Sequence, residues 1–190
     1  MNPELDQFLS SMKKTMEEVV IPNLTDSFAI EQAGIVAATL GYLETIHDKV
    51  FHYELFENSE YKNILLKTLD IFAGDTDDDQ LCAALARIKD HFAHDKPEDQ
   101  TPLRSYKFIR GSNENMKEML CELIQLQPGM DATARNEFEM LLKPFYQAIE
   151  KRERAWVKAL GFDPEADQLP DVADILYQDD LLRFNPGSGA

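Results

Sequence analysis

The sequence predicts an all-α protein, a multi-helix bundle of about six or seven mostly antiparallel helices arranged around a long central helix 2. Apolar residues recur at three- and four-residue spacing along most of the chain, and helix-start and helix-stop signals separate these stretches. No stretch shows the sustained polar and apolar alternation of a β-strand. With 190 residues, of which 44% are apolar, the chain is long enough to bury a core without disulfides or a structural metal.

Helix 1 is predicted by a single apolar stripe that stops before Pro22, because proline ends a helix. Its members are Leu5, Phe8, Leu9, Met12, Met16, Val19 and Val20. Helix 2 is predicted to start at Thr25-Asp26-Ser27 and to run to about Phe56. Apolar residues occur on nearly all of its faces, which is typical of a helix that is central in a bundle or shared with a partner subunit.

The remaining helices are predicted from similar stripes and from the signals that bound them. These signals are Asn58-Ser59 and Gly74 for helix 3, Thr76 for helix 4, Gly111-Ser112-Asn113 for a kinked or two-piece helix 5, Pro144 as a kink and Gly161 as the end of helix 6, and Pro170-Asp171 for a last short helix.

The charge distribution divides the chain into two predicted parts. Residues 1–160 form a single helical-bundle domain, and residues 161–190 form an acidic segment with a short helix and a flexible tail. The net charge is −6 over residues 161–190 and +2 over residues 101–160, so we expect the acidic segment to pack back on the bundle. Arg152 lies on the apolar stripe of helix 6 and therefore needs an acidic partner, for which we predict an Asp of this segment.

Net charge and composition bear on the classes of partner. A net charge of −16 opposes binding to nucleic acid or to an anionic membrane surface. The longest uncharged run falls well short of the roughly 20 residues of a membrane span, and the first residues lack the features of a secretory signal. We therefore predict a cytoplasmic protein. Cys82 and Cys121 lie beside apolar residues, which predicts reduced, buried thiols.

One motif carries possible metal chemistry. Glu44-x-x-His47 has the spacing at which two side chains of one helix face chelate an ion. No second Glu-x-x-His occurs, so a di-iron site is not expected. His91 and His94 share the same spacing on helix 4. If helices 2 and 4 pack together, His47 with His91 or His94 and a carboxylate such as Glu44 or Asp90 can form a mononuclear site for zinc, iron or nickel. The simpler interpretation is that the histidines are hydrogen-bonded structural residues.

These observations leave three functional hypotheses. The first is a non-catalytic protein-interaction or self-associating module without a cofactor, either a homodimer or bound to another protein, with helix 2 or helix 6 at the interface. The alternative is a metal-dependent bundle enzyme or sensor that uses Glu44, His47, His91 and His94, with one divalent transition metal ion. The third is an apolar or acyl ligand held between helices by Phe and Met side chains. The lack of a phosphate loop or nucleophile elbow favours the non-catalytic hypothesis, and no catalytic residue is predicted.

Overall fold

The computed structural model describes residues 4–74, 78–96 and 103–177. Within these ranges the chain forms seven α-helices and no strand, which confirms the predicted all-α multi-helix bundle. The helices are α1 (Leu5–Thr15), α2 (Ser27–Ile46), α3 (Val50–Ile71), α4 (Asp79–His94), α5 (Tyr106–Leu126), α6 (Ala132–Trp156) and α7 (Val172–Leu176). The last residues of the predicted tail lie outside the described residues.

The prediction that helix 2 extends to Phe56 is wrong, because α2 ends at Ile46 and α3 begins at Val50. The break occurs where side chains and a turn take up carbonyl groups at the end of α2. His47 Nδ1 lies 3.2 Å from the Glu44 carbonyl oxygen, and Lys49 Nζ donates to the Thr45 carbonyl oxygen at 2.8 Å. The Lys49 amide also donates to the Ile46 carbonyl oxygen. These bonds satisfy acceptors that would otherwise bond to a continuing helix.

The predicted interruptions at Asn58-Ser59 and at Gly111-Ser112-Asn113 are also wrong, because α3 and α5 run through them without a break. Asn58, Ser112 and Asn113 are all buried. The Asn58 side-chain amide donates to Asn113 Oδ1 at 2.8 Å, between α3 and α5. These polar side chains therefore bond across helices instead of competing for the local backbone, which is why they do not end a helix.

The chain divides into two compact units, the first formed by Met1–Val50 with Lys151–Ala190 and the second by Phe51–Glu150. The predicted division into a bundle domain up to residue 160 and an appended acidic segment stays a prediction. The second unit contains the main apolar core. Its buried members are Tyr61, Ile64, Leu65, Leu81, Ala84, Leu85, Ile88, Phe92, Met116, Met119, Leu120, Leu123, Met130, Phe138 and Leu142. Each large member stabilises the fold by about 1.5–3 kcal/mol when fully buried.

In the first unit, α2 begins at the N-cap Asp26, whose side chain accepts from the Ala29 amide at 2.9 Å. Ala33 and Ala37 are buried, and Gly41 follows on the same face four residues later. A Cβ atom at Gly41 would lie 3.3 Å from Lys13 Nζ of α1. Because α1 contacts α2, small side chains on this face let the two helices approach closely.

The first unit also holds the contact between the end of α6 and the acidic segment that follows it. Arg154 Nε donates to Asp163 Oδ2 at 2.7 Å, and Arg154 Nη2 donates to Glu165 Oε2 at 2.7 Å. Gly161 lies between them with φ of 72°, and it closes the 3-10 turn Lys158–Leu160 that follows α6. Arg152 is buried as predicted, while the predicted identity of its acidic partner stays a prediction.

Cys82 and Cys121 are exposed and form no disulfide, so the prediction of buried thiols is wrong. The core side of α4 is made by Leu81, Leu85 and Ile88, and Cys82 lies about 100° around the helix from Leu81. Within the described residues, no helix has the length and apolarity needed to cross a membrane.

Candidate functional site

Glu44 and His47 lie in the first unit, at the end of α2. Both line a cavity of about 1020 Å³. The described lining of this cavity includes six carboxylate side chains and no Phe or Met, which differs from the pocket assumed by the apolar-ligand hypothesis. His47 Nδ1 faces the Glu44 carbonyl oxygen at 3.2 Å, which assigns the proton to Nδ1. The Nδ1–H group of His47 therefore donates a hydrogen bond to a carbonyl group at the end of α2.

His91 and His94 lie in the second unit, in the last turn of α4. The exposed His94 ring has Nδ1 2.9 Å from the Asp90 carbonyl oxygen. The structure thus places the four predicted metal ligands in two different units. Among the residues that the structure describes, no three His, Cys, Asp or Glu side chains group as a metal site. The metal site stays a prediction that rests on the two three-residue spacings.

A buried ion pair occupies the polar centre of the second unit. Lys62 Nζ donates to Asp95 Oδ1 at 2.7 Å, and both side chains are almost fully buried. Lys62 Nζ also lies 3.2 Å from the Lys96 carbonyl oxygen, and the Ser112 hydroxyl donates to Asp95 Oδ2 at 2.5 Å. Both carboxylate oxygens of Asp95 are therefore hydrogen-bonded, which is the condition under which a buried charge is tolerated.

Further polar contacts extend this centre along α3 and α5. The Asn113 side-chain amide donates to Glu54 Oε2 at 2.8 Å and to the Glu54 carbonyl oxygen at 3.0 Å. One turn further along, Lys117 Nζ lies 2.9 Å from Glu57 Oε2, and the bond to Glu57 raises the pKa of Lys117 against the opposing effect of its burial. The polar centre thus ties α3 to α5 over several turns.

His91 reaches the same polar centre from α4. Its Nε2 lies 3.1 Å from Ser112 Oγ. Partial burial lowers the pKa of His91 below the ordinary value of 6.5, although the negative charge of Asp95 acts in the opposite direction. The imidazole is therefore neutral at pH 7, and it lines a cleft of about 490 Å³ together with Asp95, Ser112 and Phe108.

Sequence reasoning did not single out Lys62 or Asp95. One signal was available for Lys62, because it falls with Asn58 and Leu65 on the buried stripe of α3. A lysine on a core stripe needs a buried acidic partner, for the same reason that Arg152 needs one. Nothing in the sequence identifies Asp95 as that partner, since it follows the end of α4 and is 33 residues away.

A second candidate site is an exposed apolar face on α2. We call it the α2 stripe and define it as Phe28, Gln32, Ile35, Val36, Thr39 and Leu43, all of which are exposed. Phe28 is 68% exposed, Ile35 53%, Val36 47% and Leu43 38%. At 100° per residue, Phe28 lies about 180° around the helix from the buried Ala37. The α2 stripe therefore lies on the opposite side of the helix from the small residues Ala33, Ala37 and Gly41.

Helix α1 also leaves apolar side chains exposed. Leu5, Phe8 and Met12 of α1 are each about half exposed, and their spacing of three and four residues places them on one side of the helix. Val19, in the π-helical segment Met16–Val20 that follows α1, is exposed to a similar extent. Only Leu9 of α1 is buried. The first unit thus presents much more exposed apolar surface on its two N-terminal helices than scattered surface residues would give.

No protein-family model, curated protein or solved structure matches the chain.

Proposed function

We propose that the protein is a non-catalytic helical interaction module that pairs with a second copy of itself through the α2 stripe. The observation that supports this proposal is that α2 is apolar on nearly all faces while only one side of it is buried. A helix of this composition is stable in water when its second apolar side is covered as well. A partner chain on the α2 stripe supplies that cover.

A second copy fits the stripe because the stripe carries no charged side chain. The chain has a net charge of −16, so two copies repel each other unless the surfaces that meet are uncharged. Phe28, Gln32, Ile35 and Thr39 follow one another at spacings of four, three and four residues, which is the heptad pattern of helices that pack side by side. A two-fold axis brings the same stripe of each copy together.

The size of the surface also suits a dimer. If each of the four exposed apolar side chains of the α2 stripe loses roughly 100 Å², and the three of α1 together with Val19 contribute similarly, each copy buries roughly 800 Å², the amount found in a standard interface. The α2 stripe alone gives about half of this area. The α2 stripe alone therefore corresponds to the small interface of a weak, transient dimer, and an interface of standard size requires the exposed side chains of the α1 region as well.

The proposal is tested by substituting Ile35 in the middle of the stripe. We expect Ile35→Glu to place two like charges at the interface and to convert the dimer to a monomer, as measured by sedimentation velocity between about 1 and 100 µM. Met140→Glu is the matched control, because Met140 is 68% exposed on α6 in the second unit. Circular dichroism establishes that both variants keep their helical content.

Two outcomes contradict the proposal. A wild-type chain that remains monomeric up to about 100 µM lacks the self-association that the exposed surface implies. A dimer that survives Ile35→Glu and is lost in Met140→Glu uses α6 as its interface instead of α2.

A further inference from the structure

The cleft beside His91 is a second site, separate from the α2 stripe and within the other unit. Its volume is about 490 Å³, enough for a small molecule of one or two rings. The floor is made by the buried Asp95 and Ser112, and Phe108 and Gly111 of α5 contribute to the wall. Both a buried charge and an aromatic surface therefore face the same space.

The hydrogen bonds at the floor of the cleft determine which atom carries each proton. The Lys62 ammonium has only donors, so Asp95 Oδ1 accepts a hydrogen bond from it. The Ser112 hydroxyl donates its single proton to Asp95 Oδ2. Ser112 Oγ can then only accept from His91 Nε2, 3.1 Å away. In the neutral imidazole this assigns the ring proton to Nε2 and leaves Nδ1 as a bare acceptor.

From this geometry we propose that the cleft binds a small, largely apolar molecule that carries one acidic O–H or N–H group, and that His91 Nδ1 accepts the hydrogen bond from that group. Phe108 packs against the apolar part of the molecule. If the ligand transfers its proton, the O–H or N–H bond breaks, the proton binds Nδ1, and the ligand keeps the electron pair as an anion. Asp95, through Ser112, stabilises the resulting imidazolium in the manner of a carboxylate that orients a catalytic histidine.

The charges around His91 come from several elements. Asp95 and Asp90 favour the protonated ring, while Lys62 and His94 disfavour it. Lys107 of α5 also lines the cleft and offers a positive charge to an anionic product. Burial of the ring is the largest effect and keeps it neutral at pH 7, so it can act as an acceptor at that pH.

The probe that tests this proposal is 4-fluorophenol, with fluorobenzene as the matched molecule that lacks the hydroxyl group. Binding to the full chain is followed by ¹⁹F NMR at pH 7. We expect 4-fluorophenol to bind at least about fivefold more tightly than fluorobenzene, which is the factor that one hydrogen bond of about 1 kcal/mol contributes. His91→Ala should remove this difference, and Lys89→Ala, at an exposed position of α4 outside the cleft lining, should retain it.

A second measurement on the wild-type protein does not depend on the folding of a variant. Long-range ¹H–¹⁵N spectra of the His91 ring should show a protonated Nε2 and an unprotonated Nδ1, with the Nδ1 resonance shifting as 4-fluorophenol is added. The proposal would be overturned if the two probes bind equally tightly or if Nδ1 of His91 is protonated. It would also be overturned if the Nδ1 resonance does not shift when 4-fluorophenol is added.

Discussion

Lys62 Nζ lies 2.7 Å from Asp95 Oδ1, and both residues are buried although they are 33 positions apart in the chain. The pair joins the middle of α3 to the residue that follows α4. Removing two charges from water costs several kcal/mol, which the pair offsets only if the remaining hydrogen-bonding groups are also satisfied. The Lys96 carbonyl and the Ser112 hydroxyl meet that condition.

We predict that Lys62→Met lowers the free energy of unfolding by about 3–5 kcal/mol, because Asp95 is left buried without its cation. Urea denaturation followed by circular dichroism measures the change. Lys67→Met is the control on the same helix, since Lys67 is exposed, and it should change stability by less than about 0.5 kcal/mol. Equal effects of the two substitutions would show that the ion pair contributes nothing specific.

We predict that Asn113→Ala lowers the free energy of unfolding by about 1–3 kcal/mol, because Asn58 Nδ2 and a Glu54 side-chain oxygen lose their partner. Asn115→Ala removes a similar side chain from an exposed position of the same helix and should be close to neutral. If both variants unfold at the same urea concentration as wild type, Asn113 is not a structural link between α3 and α5.

The Arg154 contact makes a pH-dependent prediction. Its hydrogen bonds hold the pKa of Asp163 below the ordinary value of 3.8, so the folded state favours the ionised carboxylate. The stabilisation is present above about pH 4 and is lost as the pH falls through the lowered pKa. We therefore expect Asp163→Asn to be less stable than wild type at pH 7, with a difference that narrows below pH 4.

The exposed Asp167 provides the control for this contact, and Asp167→Asn should leave stability at pH 7 nearly unchanged. Thermal unfolding at a series of pH values measures both variants. A stability difference for Asp163→Asn that does not narrow as the pH falls below 4 would assign the effect to something other than the charge of Asp163, since protonation of the carboxyl group removes that charge.

Alanine substitutions at Gly161 and Gly34 should change the stability of the fold in opposite directions. Neither has an atom within 4 Å of an added Cβ, but Gly161 has φ of 72° and Gly34 lies within α2. Gly161→Ala should cost about 1–2 kcal/mol through backbone strain, whereas Gly34→Ala should stabilise the fold by up to about 1 kcal/mol. A stabilising Gly161→Ala would mean that the turn after α6 changes its conformation.

The sequence predicts the fold class and the starts of α2 and α7 because these depend on local patterns. Asp26, the N-cap of α2, and Gly161, after α6, are recognisable from residue type and position alone. The errors arise where tertiary contacts decide. Asn58 and Ser112 resemble helix-breaking residues in isolation, and they remain helical because their side chains bond across α3 and α5.

The candidate sites are likewise predictable where they depend on a local pattern and not predictable where they depend on tertiary contacts. Apolar residues around all of α2 predicted a face shared with a neighbour; Phe28 and Ile35 are exposed on one side of this helix, and the partner on that side stays a prediction. The buried polar centre was not predicted, because its members come from three helices and the segment after α4. Their chemistry depends on the distances between them, as the contact of Ser112 with both Asp95 and His91 illustrates.

The distribution of two rare residue types gives each unit its own natural reporter. Trp156, the single tryptophan of the chain, belongs to the first unit, whereas Cys82 and Cys121 are exposed thiols on α4 and α5 of the second. Tryptophan emission therefore follows the first unit, and a fluorophore attached to the thiols follows the second, without any change to the native sequence. Denaturation curves recorded with the two signals will coincide if the units unfold as one cooperative block and separate if each melts independently.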